Sequence, residues 1–335
     1  MEDVAAVAGV SLSTVSRVIN GHSAVNADLA LKVDHAVELL GYRRDHAAST
    51  LRRSNRQSAS IGLILEDVAN PFFPAVHRGV EEIARARGLL TFAGSSDGDG
   101  DLERELAQVL CARRVDGLVV APVGGDHSYL VREREAGVAL VFVDRPPEFI
   151  DADAVLIDNV AAARGGVQHL AKAGHRRIAF LGDREQIFTA RERLAGYRGA
   201  LAERGINDDP ALVRLDLADS DSARRAVEEL MALAEPPTAI FAGQNLISIG
   251  AIRALQAAGR QHQVALVGFD DIDLADAVDP GLTVVAQDAA ALGRAAAEQV
   301  FARLDGDVGP SRRIFAPTRL IERGSGEIAL AAGEE

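Results

Sequence analysis

The chain has 335 residues, of which 48% are hydrophobic and 25% are charged, a composition typical of soluble globular proteins. Its length exceeds that of one ordinary domain, and no stretch approaches the roughly 18 unbroken apolar residues of a membrane-spanning helix, so we expect no membrane partner. The acidic start Met1-Glu2-Asp3 lacks the basic and apolar regions of a signal peptide, and the single cysteine, Cys111, cannot form an intrachain disulfide. Both features predict a cytoplasmic protein.

The net charge of −13 argues against nucleic acid as a partner unless positive charge is concentrated in one part of the chain. Residues 1–58 contain seven Lys or Arg and six Asp or Glu, which leaves this segment near +1 and the remainder near −14. Arg52, Arg53 and Arg56 cluster at its end, where they could neutralise phosphates. The charge distribution therefore permits nucleic-acid binding without predicting it.

Residues 1–44 contain three short helical patterns, each followed by glycine, a common residue at helix ends. The patterns cover 3–8, 12–20 and the segment from Asn26 to Leu40, and the glycines are Gly9, Gly21 and Gly41. Ser11 is a good N-cap for the second helix, and Asn26 for the third. Three compact helices with a tight turn between the first two predict a helix-turn-helix head.

Residues 45–58 are polar and basic apart from Leu51, which indicates a linker or a marginal helix. Across 59–335, short apolar strands then alternate with amphipathic segments. The predicted strands are 61–65, 89–93, 117–121, 139–143, 178–181, 239–242 and 264–269. This alternation predicts an α/β fold with parallel sheets. Because these strands and those of the tail are too many for one small sheet, we expect two similar lobes with a ligand at the carboxyl ends of the strands.

The second helix carries side chains suited to DNA. If Val15, Val18 and Ile19 face the core of the head, an outer set points away from it near the end of the helix that enters the major groove. The outer set is Leu12, Ser13, Ser16 and Arg17. Arg17 can donate a bidentate pair to guanine. Short donors suited to phosphate are Thr14, Ser16 and Asn20. From the helical pattern alone, a small capped bundle without a DNA role is an equally good interpretation.

The segment DVAAVAGVSLSTVSRVINGHSAVN, followed by LGY, resembles the head of the LacI/GalR family of bacterial transcription regulators almost position by position. The resemblance implies that Leu12, Ser13 and Arg17 lie at base-contacting positions. In this family a hinge helix forms on operator DNA and inserts a leucine into the minor groove, and Leu51, in HAASTLRR, matches that leucine. Without the head, a leucine in a flexible linker would be the preferred interpretation of Leu51.

Two features depart from the family pattern. Arg44-Asp45 stands where the family usually has Pro-Asn before the hinge helix, although Asp45 can still cap it. The chain also starts at Met1-Glu2-Asp3, where relatives carry a few more residues, including a Thr that caps the first helix. The true start is therefore expected upstream, or the first helix is less well anchored.

The rest of the chain resembles the core of the same family, which shares its fold with periplasmic sugar-binding proteins. We expect a first lobe of about 59–158 and 288–316 and a second lobe of about 159–287 and 317–330. Polar and aromatic side chains stand just after the predicted strand ends, where a cleft ligand would lie. Phenylalanine faces can stack on a sugar ring, and carboxylate, amide and guanidinium groups can bond its hydroxyls.

The resemblance implies effector contacts at seven positions: Phe72, Phe73, Arg145, Arg191, Gln244, Asp270 and Gln287. Position after a strand adds Asn70 and Asp144. Taken singly, each has a structural alternative, such as a turn at Asn70 or a surface charge at Arg145. Ligand identity does not carry over, because Gln244 stands where many relatives have Asn or Asp. Leu217 likewise stands where some relatives have an aromatic ring.

Enzyme motifs are missing from the sequence, which contains no G-x-G-x-x-G, P-loop or G-x-S-x-G pattern. The eight histidines show no metal-ligand spacing with cysteine or carboxylates. His175 is expected to be a loop or capping residue. We therefore expect neither an enzyme nor a bound cofactor or metal.

Together these features predict a DNA-binding transcription repressor whose operator affinity is controlled by a small effector, a sugar or sugar derivative, bound between two lobes. A homodimer would match the symmetry of a pseudo-palindromic operator, with 74–88 and 101–114 as candidate interface helices. The tail GEIALAAGEE lacks the leucine heptads of a tetramerising coiled coil. Two alternatives are a solute-binding module for transport, which would need export, and a sugar-processing enzyme, which would need a catalytic pair.

Overall fold

A computed structural model describes residues 1–19, 25–42 and 58–330. The chain divides into two compact units, Met1–Ser58 and Ala59–Glu335. The predicted linker 45–58 lies outside the described residues except for Ser58. Among the described residues, no helix is both long and apolar enough to cross a membrane.

The first unit contains the three predicted helices: α1 (Glu2–Ala8), α2 (Leu12–Ile19) and α3 (Ala27–Leu40). The three helices share a small hydrophobic core, in which Val4, Val15 and Val33 are fully buried. Asn26 caps α3 by accepting a hydrogen bond from the Asp28 N–H at 2.9 Å. Gly41 ends α3 with a φ of 56°, in the left-handed region where glycine is favoured. The three-helix prediction for this segment is confirmed.

The second unit contains two six-stranded sheets. In spatial order, sheet one consists of β11 (Arg313–Ala316), β5 (Asp153–Ile157), β4 (Ala139–Val143), β3 (Gly117–Val120), β1 (Ser60–Leu65) and β2 (Leu90–Ser95). Sheet two consists of β12 (Thr318–Ile321), β10 (Thr283–Gln287), β9 (Ala265–Phe269), β8 (Ala239–Ala242), β6 (Ile178–Leu181) and β7 (Val213–Arg214). The strand pairs are parallel except β10 with β12, which is antiparallel. The α/β prediction with parallel sheets is thus confirmed.

In the described part of this unit, eight α-helices accompany the two sheets: α4 (Phe72–Ala86), α5 (Gly100–Ala112), α6 (Val131–Glu135), α7 (Asn159–Lys172), α8 (Phe188–Glu203), α9 (Ser220–Met231), α10 (Asn245–Ala257) and α11 (Ala289–Leu304). The chain passes between the sheets three times: after β5, after β10, and between β11 and β12. Helix α11 returns to sheet one, where it contacts α4 and β3 to β5. Both lobes are therefore built from separated stretches of the chain.

Helices α4 and α11 contact each other at glycine. A Cβ atom added to Gly79 would lie 2.0 Å from the carbonyl oxygen of Ala290, and one added to Gly293 would lie 2.1 Å from that of Val76. No side chain fits at those distances, so both positions require glycine for the two backbones to approach. This contact holds the C-terminal helix α11 on the first lobe, close to the point where the chain leaves sheet two.

The central strands are apolar runs because both of their faces are covered by helices. In β1 and β4 every residue is buried, and Ile61, Leu63 and Val141 are fully so. The carboxyl ends of the parallel strands in each sheet lie at one edge. Residues that follow those ends are thereby brought together.

Candidate DNA-reading helix and effector cleft

Helix α2 has one buried and one exposed side. Val15 is fully buried in the head core, with Val18 and Ile19 packed against it. Leu12 is 45% exposed, and Ser13 and Arg17 are also exposed. This is the orientation the sequence predicted, with the candidate base-contacting side chains facing outward.

The remaining predicted DNA contacts are less exposed or lie outside the described part of the chain. Thr14 and Ser16 are partly buried, whereas Asn20 and Leu51 fall outside the described residues. The Ser11 hydroxyl accepts a hydrogen bond from the Thr14 N–H at 3.2 Å, as expected of an N-cap, and lies 2.8 Å from the Ser13 hydroxyl. The start of α2 therefore presents a cluster of hydroxyl groups suited to phosphate.

A cavity of about 320 Å³ lies between the lobes of the second unit. Eight of the nine predicted effector residues line it: Asn70, Phe72, Phe73, Asp144, Arg145, Gln244, Asp270 and Gln287. They come from both sheets and stand at or just beyond strand ends, which is where parallel α/β sheets bind ligands. The two phenylalanine rings meet edge to face, with their centroids 5.2 Å apart.

The prediction for Arg191 does not match its position. Arg191 is exposed, does not line the cavity, and donates to the carbonyl oxygen of Gln186 at 2.7 Å. Arg193 lines the cavity instead. Residues two apart on a helix point to nearly opposite sides, so only one of the two arginines can face the cleft.

The Arg193 guanidinium is buried and fixed from several directions. Its Nε donates to Asn159 Oδ1 and its Nη1 to the carbonyl oxygen of Gly243, both at 2.8 Å. Its carbon Cζ lies 3.7 Å from the centroid of the Phe269 ring, and Nη1 lies 3.9 Å from Asp270 Oδ2. These contacts join the start of α7, the end of β8 and the end of β9 around one cation.

Arg145 is the corresponding buried guanidinium of the first lobe. It forms an ion pair with Glu66 through Nη2, donates from Nη1 to the carbonyl oxygen of Pro122 at 3.1 Å, and has its Nε 3.2 Å from Asp144 Oδ2. Glu66 also lines the cleft but was not among the predicted site residues. It stands directly after β1, so the rule that found Asp144 after β4 would have found it too.

Two glutamines of the cleft donate to neighbouring carboxylates. Gln244 Nε2 donates to Asp183 Oδ2 at 3.1 Å, and Gln287 Nε2 donates to Asp270 Oδ1 at 2.7 Å. Their other amide atoms, Gln244 Oε1 and Gln287 Oε1, are buried and have no hydrogen-bond partner among the described residues. Buried polar atoms without a partner are rare in folded proteins, so these two oxygens mark positions where a ligand can donate.

Comparison with known proteins places the chain in a family. The family model described as bacterial regulatory proteins, lacI family, matches residues 1–45, and that of a periplasmic binding protein-like domain matches 167–326. The chain is 34% identical over 336 residues to the regulator CelR of Thermobifida fusca, covering 97% of this chain and 98% of that one. It is 31% identical over 333 residues to the maltose regulon regulatory protein MalI of Escherichia coli, covering 96% and 97%. The chain belongs to the LacI family.

Solved structures of other LacI-family proteins agree with this assignment. The complex of CelR with cellobiose is 32% identical, with a TM-score of 0.72, and covers 97% of this chain and 98% of that chain. A lac repressor dimer bound to operator and the anti-inducer ONPF is 25% identical, with a TM-score of 0.83 and 98% coverage of both chains. As a LacI-family member the protein is a DNA-binding transcription regulator and not an enzyme, as the sequence predicted.

The cleft of this LacI-family protein repeats one backbone feature in both lobes. Asp144 and Asp270 directly follow β4 and β9, and their φ angles are 70° and 65°, in the left-handed region. Each N–H donates to a carbonyl oxygen of the next strand, Val155 at 3.0 Å and Val285 at 2.9 Å. Such a conformation costs of order 1–3 kcal/mol for a residue other than glycine and is concentrated at functional sites. It directs a carboxylate into the cleft from each lobe.

Burial governs the charge of these carboxylates. It raises the pKa of Asp144 and of Asp270 above the ordinary range, and the nearby guanidinium groups of Arg145 and Arg193 oppose it only in part. Burial also raises the pKa of Asp183, which Glu66 raises further across the cleft. The protein groups of the cleft therefore stabilise its negative charges incompletely, and a ligand that donates hydrogen bonds would stabilise them further.

Proposed function

We propose that this LacI-family protein is a cytoplasmic repressor that binds a pseudo-palindromic operator as a homodimer. A sugar or sugar derivative, bound between the lobes of the core, would control its operator affinity. The observation that best supports this proposal is the cleft, in which two phenylalanines and buried polar groups from both lobes line one cavity. The DNA-reading surface and the effector cleft belong to different units of the chain, so one ligand can modulate the binding of the other.

The exposed face of α2 supports the operator half of the proposal. Arg17 can donate two parallel hydrogen bonds to guanine in the major groove, and Leu12 offers an apolar contact to a thymine methyl group. Ser13, with the hydroxyls of Ser11 and Thr14 at the start of the helix, is suited to phosphate oxygens. Base contacts specify the sequence and phosphate contacts position the head, so the two groups of residues should behave differently when mutated.

The chemistry of the cleft supports the carbohydrate half. Phe72 and Phe73 offer apolar ring surface on the first lobe, and the carboxylates and amides around them can bond several hydroxyls. Among similar solved structures, one CelR structure holds cellobiose, and a LacI-family regulator of Enterococcus faecium, 25% identical with a TM-score of 0.73 over 79% of this chain and 98% of that one, holds ribose. A ligand contacted by both lobes would favour the closed arrangement of the two sheets.

Exposed apolar side chains support a homodimer. Leu90 and Phe92 are 67% and 42% exposed on β2, the edge strand of sheet one, and Leu274 is 71% exposed on the second lobe. Such groups on a monomer commonly mark an interaction surface, and an unpaired strand edge is a further site for pairing. The helices predicted for the interface are α4 and α5, which flank β2 in the sequence.

A selection from random-sequence DNA tests the operator half. We expect the protein to enrich a palindrome, with an affinity that falls as salt rises. Arg17→Ala should relax the preference at one position of each half-site, whereas Arg113→Ala, the same charge change at an exposed residue of the core, should leave it unchanged. Failure to enrich any palindrome would refute the proposal.

Binding of effector candidates tests the other half. A sugar that binds only the native state raises the melting temperature and should alter operator affinity in the same preparation. Asp270→Ala should abolish both responses to the sugar while leaving operator binding intact. If Asp270→Ala kept a normal response, the cleft would not be the effector site. Loss of operator binding as well would indicate misfolding, and Asp270→Asn, which keeps the shape of the side chain, would then decide.

A further inference from the structure

The lining of the cleft contains more carboxylates than guanidinium groups. Six acidic side chains line it: Glu66, Asp67, Asp97, Asp144, Asp183 and Asp270. The basic side chains of the lining are Arg145, Arg184 and Arg193. With all of these groups ionised, the lining carries three more negative than positive charges. This balance bears on which effector the cleft accepts.

The two buried guanidinium groups are already occupied. Arg145 is held by Glu66, Asp144 and a carbonyl oxygen, and Arg193 by Asn159, Asp270 and a carbonyl oxygen. An acidic ligand could pair with either arginine only by displacing a carboxylate of the protein and leaving that carboxylate buried without its partner. Breaking a buried ion pair in this way is strongly unfavourable.

Arg184 is also an unfavourable partner for an acidic ligand. It lies next to Asp183 in the chain, and a Cβ atom built on Gly98 would lie 3.5 Å from its Nη1 and 3.8 Å from Glu66 Oε1. The Arg184 guanidinium, which belongs to the second lobe, therefore lies close to Gly98 of the first lobe. The Glu66 carboxylate lies close to the same glycine. An anion bound to Arg184 would have acidic side chains of both lobes as its neighbours.

The remaining hydrogen-bonding capacity of the cleft is mainly that of acceptors. The NH₂ groups of Gln244 and Gln287 are used by Asp183 and Asp270, whereas the amide oxygens of both glutamines have no hydrogen-bond partner among the described residues. Arg145 Nε also lacks a hydrogen bond, but it already lies 3.2 Å from Asp144 Oδ2. Carboxylates have further lone pairs to offer. A ligand that complements this lining must be rich in donors, as hydroxyl and ammonium groups are.

We infer that the cleft takes a polyhydroxylated effector without an acidic group, and that an ammonium substituent strengthens its binding whereas a phosphate or carboxylate weakens it. This inference rests on the proposed role of the cleft as the effector site. The Coulomb interaction of an ammonium group with the excess carboxylates favours binding, and the same carboxylates repel an anion. Because the cleft is sheltered, salt should weaken this selectivity only partly.

Matched sets of sugars test the inference by thermal shift and calorimetric titration. The first set is glucose, glucosamine, gluconate and glucose 6-phosphate; the second is ribose and ribose 5-phosphate; the third is cellobiose and cellobionate. Within the sets that bind, we expect the acidic member to bind at least about tenfold more weakly than the neutral one. Glucosamine should bind more tightly than glucose. An acidic member that equals or exceeds its neutral counterpart would overturn the inference and leave the proposed sugar-sensing function standing. No binding by any member would count against that function itself.

Glu66→Gln provides a test within the protein. It removes the carboxylate that pairs with Arg145 and frees that guanidinium for an acidic ligand, so the penalty for the acidic member should shrink by about tenfold or more. Glu105→Gln makes the same charge change at an exposed position of α5 and should leave the ratio unchanged. Equal ratios in wild type and a folded Glu66→Gln would overturn the inference. If Glu66→Gln does not fold, Asp183→Asn, which removes another carboxylate of the lining, gives the same comparison.

Discussion

Asn245 donates a hydrogen bond from Nδ2 to Oδ1 of Asn70 across the two lobes, over 2.8 Å. Both side chains are buried, and each also fixes the start of its own helix. Asn70 Oδ1 accepts from the Phe72 N–H, and Asn245 Oδ1 accepts from the Leu246 N–H. Because Phe72 and Leu246 line the cleft, the hydrogen bond between Asn245 and Asn70 links the contact between the lobes to the position of cleft side chains.

Asn245→Ala should destabilise the core and weaken the response to effector. It leaves Asn70 Oδ1 without its partner from the other lobe and the Leu246 N–H without its acceptor, which we expect to lower the free energy of unfolding by about 1–3 kcal/mol. Urea denaturation measures the loss. Asn207→Ala, at an exposed loop position, is the control and should change stability little. Equal stability of the two variants would show that the bond between the lobes contributes nothing.

Arg193 and Arg191 form a natural pair for mutagenesis on the same helix. Arg193→Lys keeps the charge but cannot reach Asn159 and Gly243 together or stack as a plane on Phe269, so effector binding should fall by tenfold or more, corresponding to about 1.4 kcal/mol. Arg191→Lys should bind the effector as wild type does, because the Arg191 side chain is exposed, is not part of the cavity lining and donates to the carbonyl oxygens of Glu185 and Gln186. Calorimetric titration compares them. A loss in Arg191→Lys equal to that in Arg193→Lys would contradict the assignment of the cleft arginine.

The sequence pattern around Arg191 and Arg193 says little about which of the two lines the cavity. Ala190, Leu194, Tyr197 and Leu201 recur at helical spacing and are buried in α8. Arg193 lies three residues from Ala190 and four from Tyr197 and is buried with them, whereas Arg191 is exposed. Because Arg191 lies three residues from Leu194, helical spacing alone separates the two arginines only weakly. The resemblance to the family pointed to a segment that lines the cavity, but which of its two arginines does so depends on the face of α8 that each occupies.

The sequence predicts the strands of the core more readily than the contacts between distant parts of the chain. All seven predicted strands are present. Six of them are buried apolar runs because they lie between layers of helices, whereas β2 is a largely exposed edge strand. Strand β5 was not predicted, because it begins at Asp153, a buried carboxylate whose partner Arg303 lies 150 residues further on. The contact between Asn70 and Asn245 spans 175 residues. Pairings of this kind depend on how two lobes meet, which no local pattern in the chain records.

The ion pair of Asp153 and Arg303 should be one of the strongest single contributions to stability. Arg303 Nε and Nη2 lie 2.7 Å and 2.9 Å from the two carboxylate oxygens, and the Arg312 N–H donates to the same carboxylate at 2.7 Å. Asp153→Asn removes the charge from a buried site and leaves the Arg303 guanidinium with only the more distant carboxylate of Asp307, 3.7 Å from Nη1, so we expect a loss of about 3 kcal/mol in the free energy of unfolding.

An exposed pair on the same helix end is the control for Asp153→Asn. Arg87 Nη1 lies 2.9 Å from Asp305 Oδ2, and both side chains are at least half exposed. Asp305→Asn should therefore cost less than about 1 kcal/mol. Urea denaturation of both variants at one pH gives the comparison. Similar losses in the two would mean that burial does not strengthen the Asp153 pair.

The contribution of His175 should appear in the pH dependence of the free energy of unfolding. Its ring is fully buried, with Nε2 2.8 Å from the carbonyl oxygen of Ile328 and Nδ1 2.9 Å from the Thr238 hydroxyl. A carbonyl oxygen only accepts, so Nε2 carries the proton and Nδ1 of the neutral ring accepts from Thr238. Burial lowers the pKa of His175 below its ordinary value, although the bond to Ile328 opposes the shift. The native ring thus stays neutral at a pH where the unfolded chain takes up a proton.

The sign of the effect follows from that difference in proton binding. The contribution of His175 to stability is fully present above the pKa of the unfolded chain, about 6.5, and falls as the pH drops below it, by at most about 1.4 kcal/mol per pH unit. The buried carboxyls of Asp144, Asp183 and Asp270, whose pKa values are raised, act in the opposite direction, so the wild-type curve alone is ambiguous. His175→Gln removes only the histidine contribution, and urea midpoints between about pH 5 and pH 8 should show a shallower decline on the acid side in that variant than in the wild type. His262→Gln, at an exposed histidine, should follow the wild-type curve. Parallel curves for His175→Gln and the wild type would mean that the native ring takes up its proton as readily as the unfolded chain does.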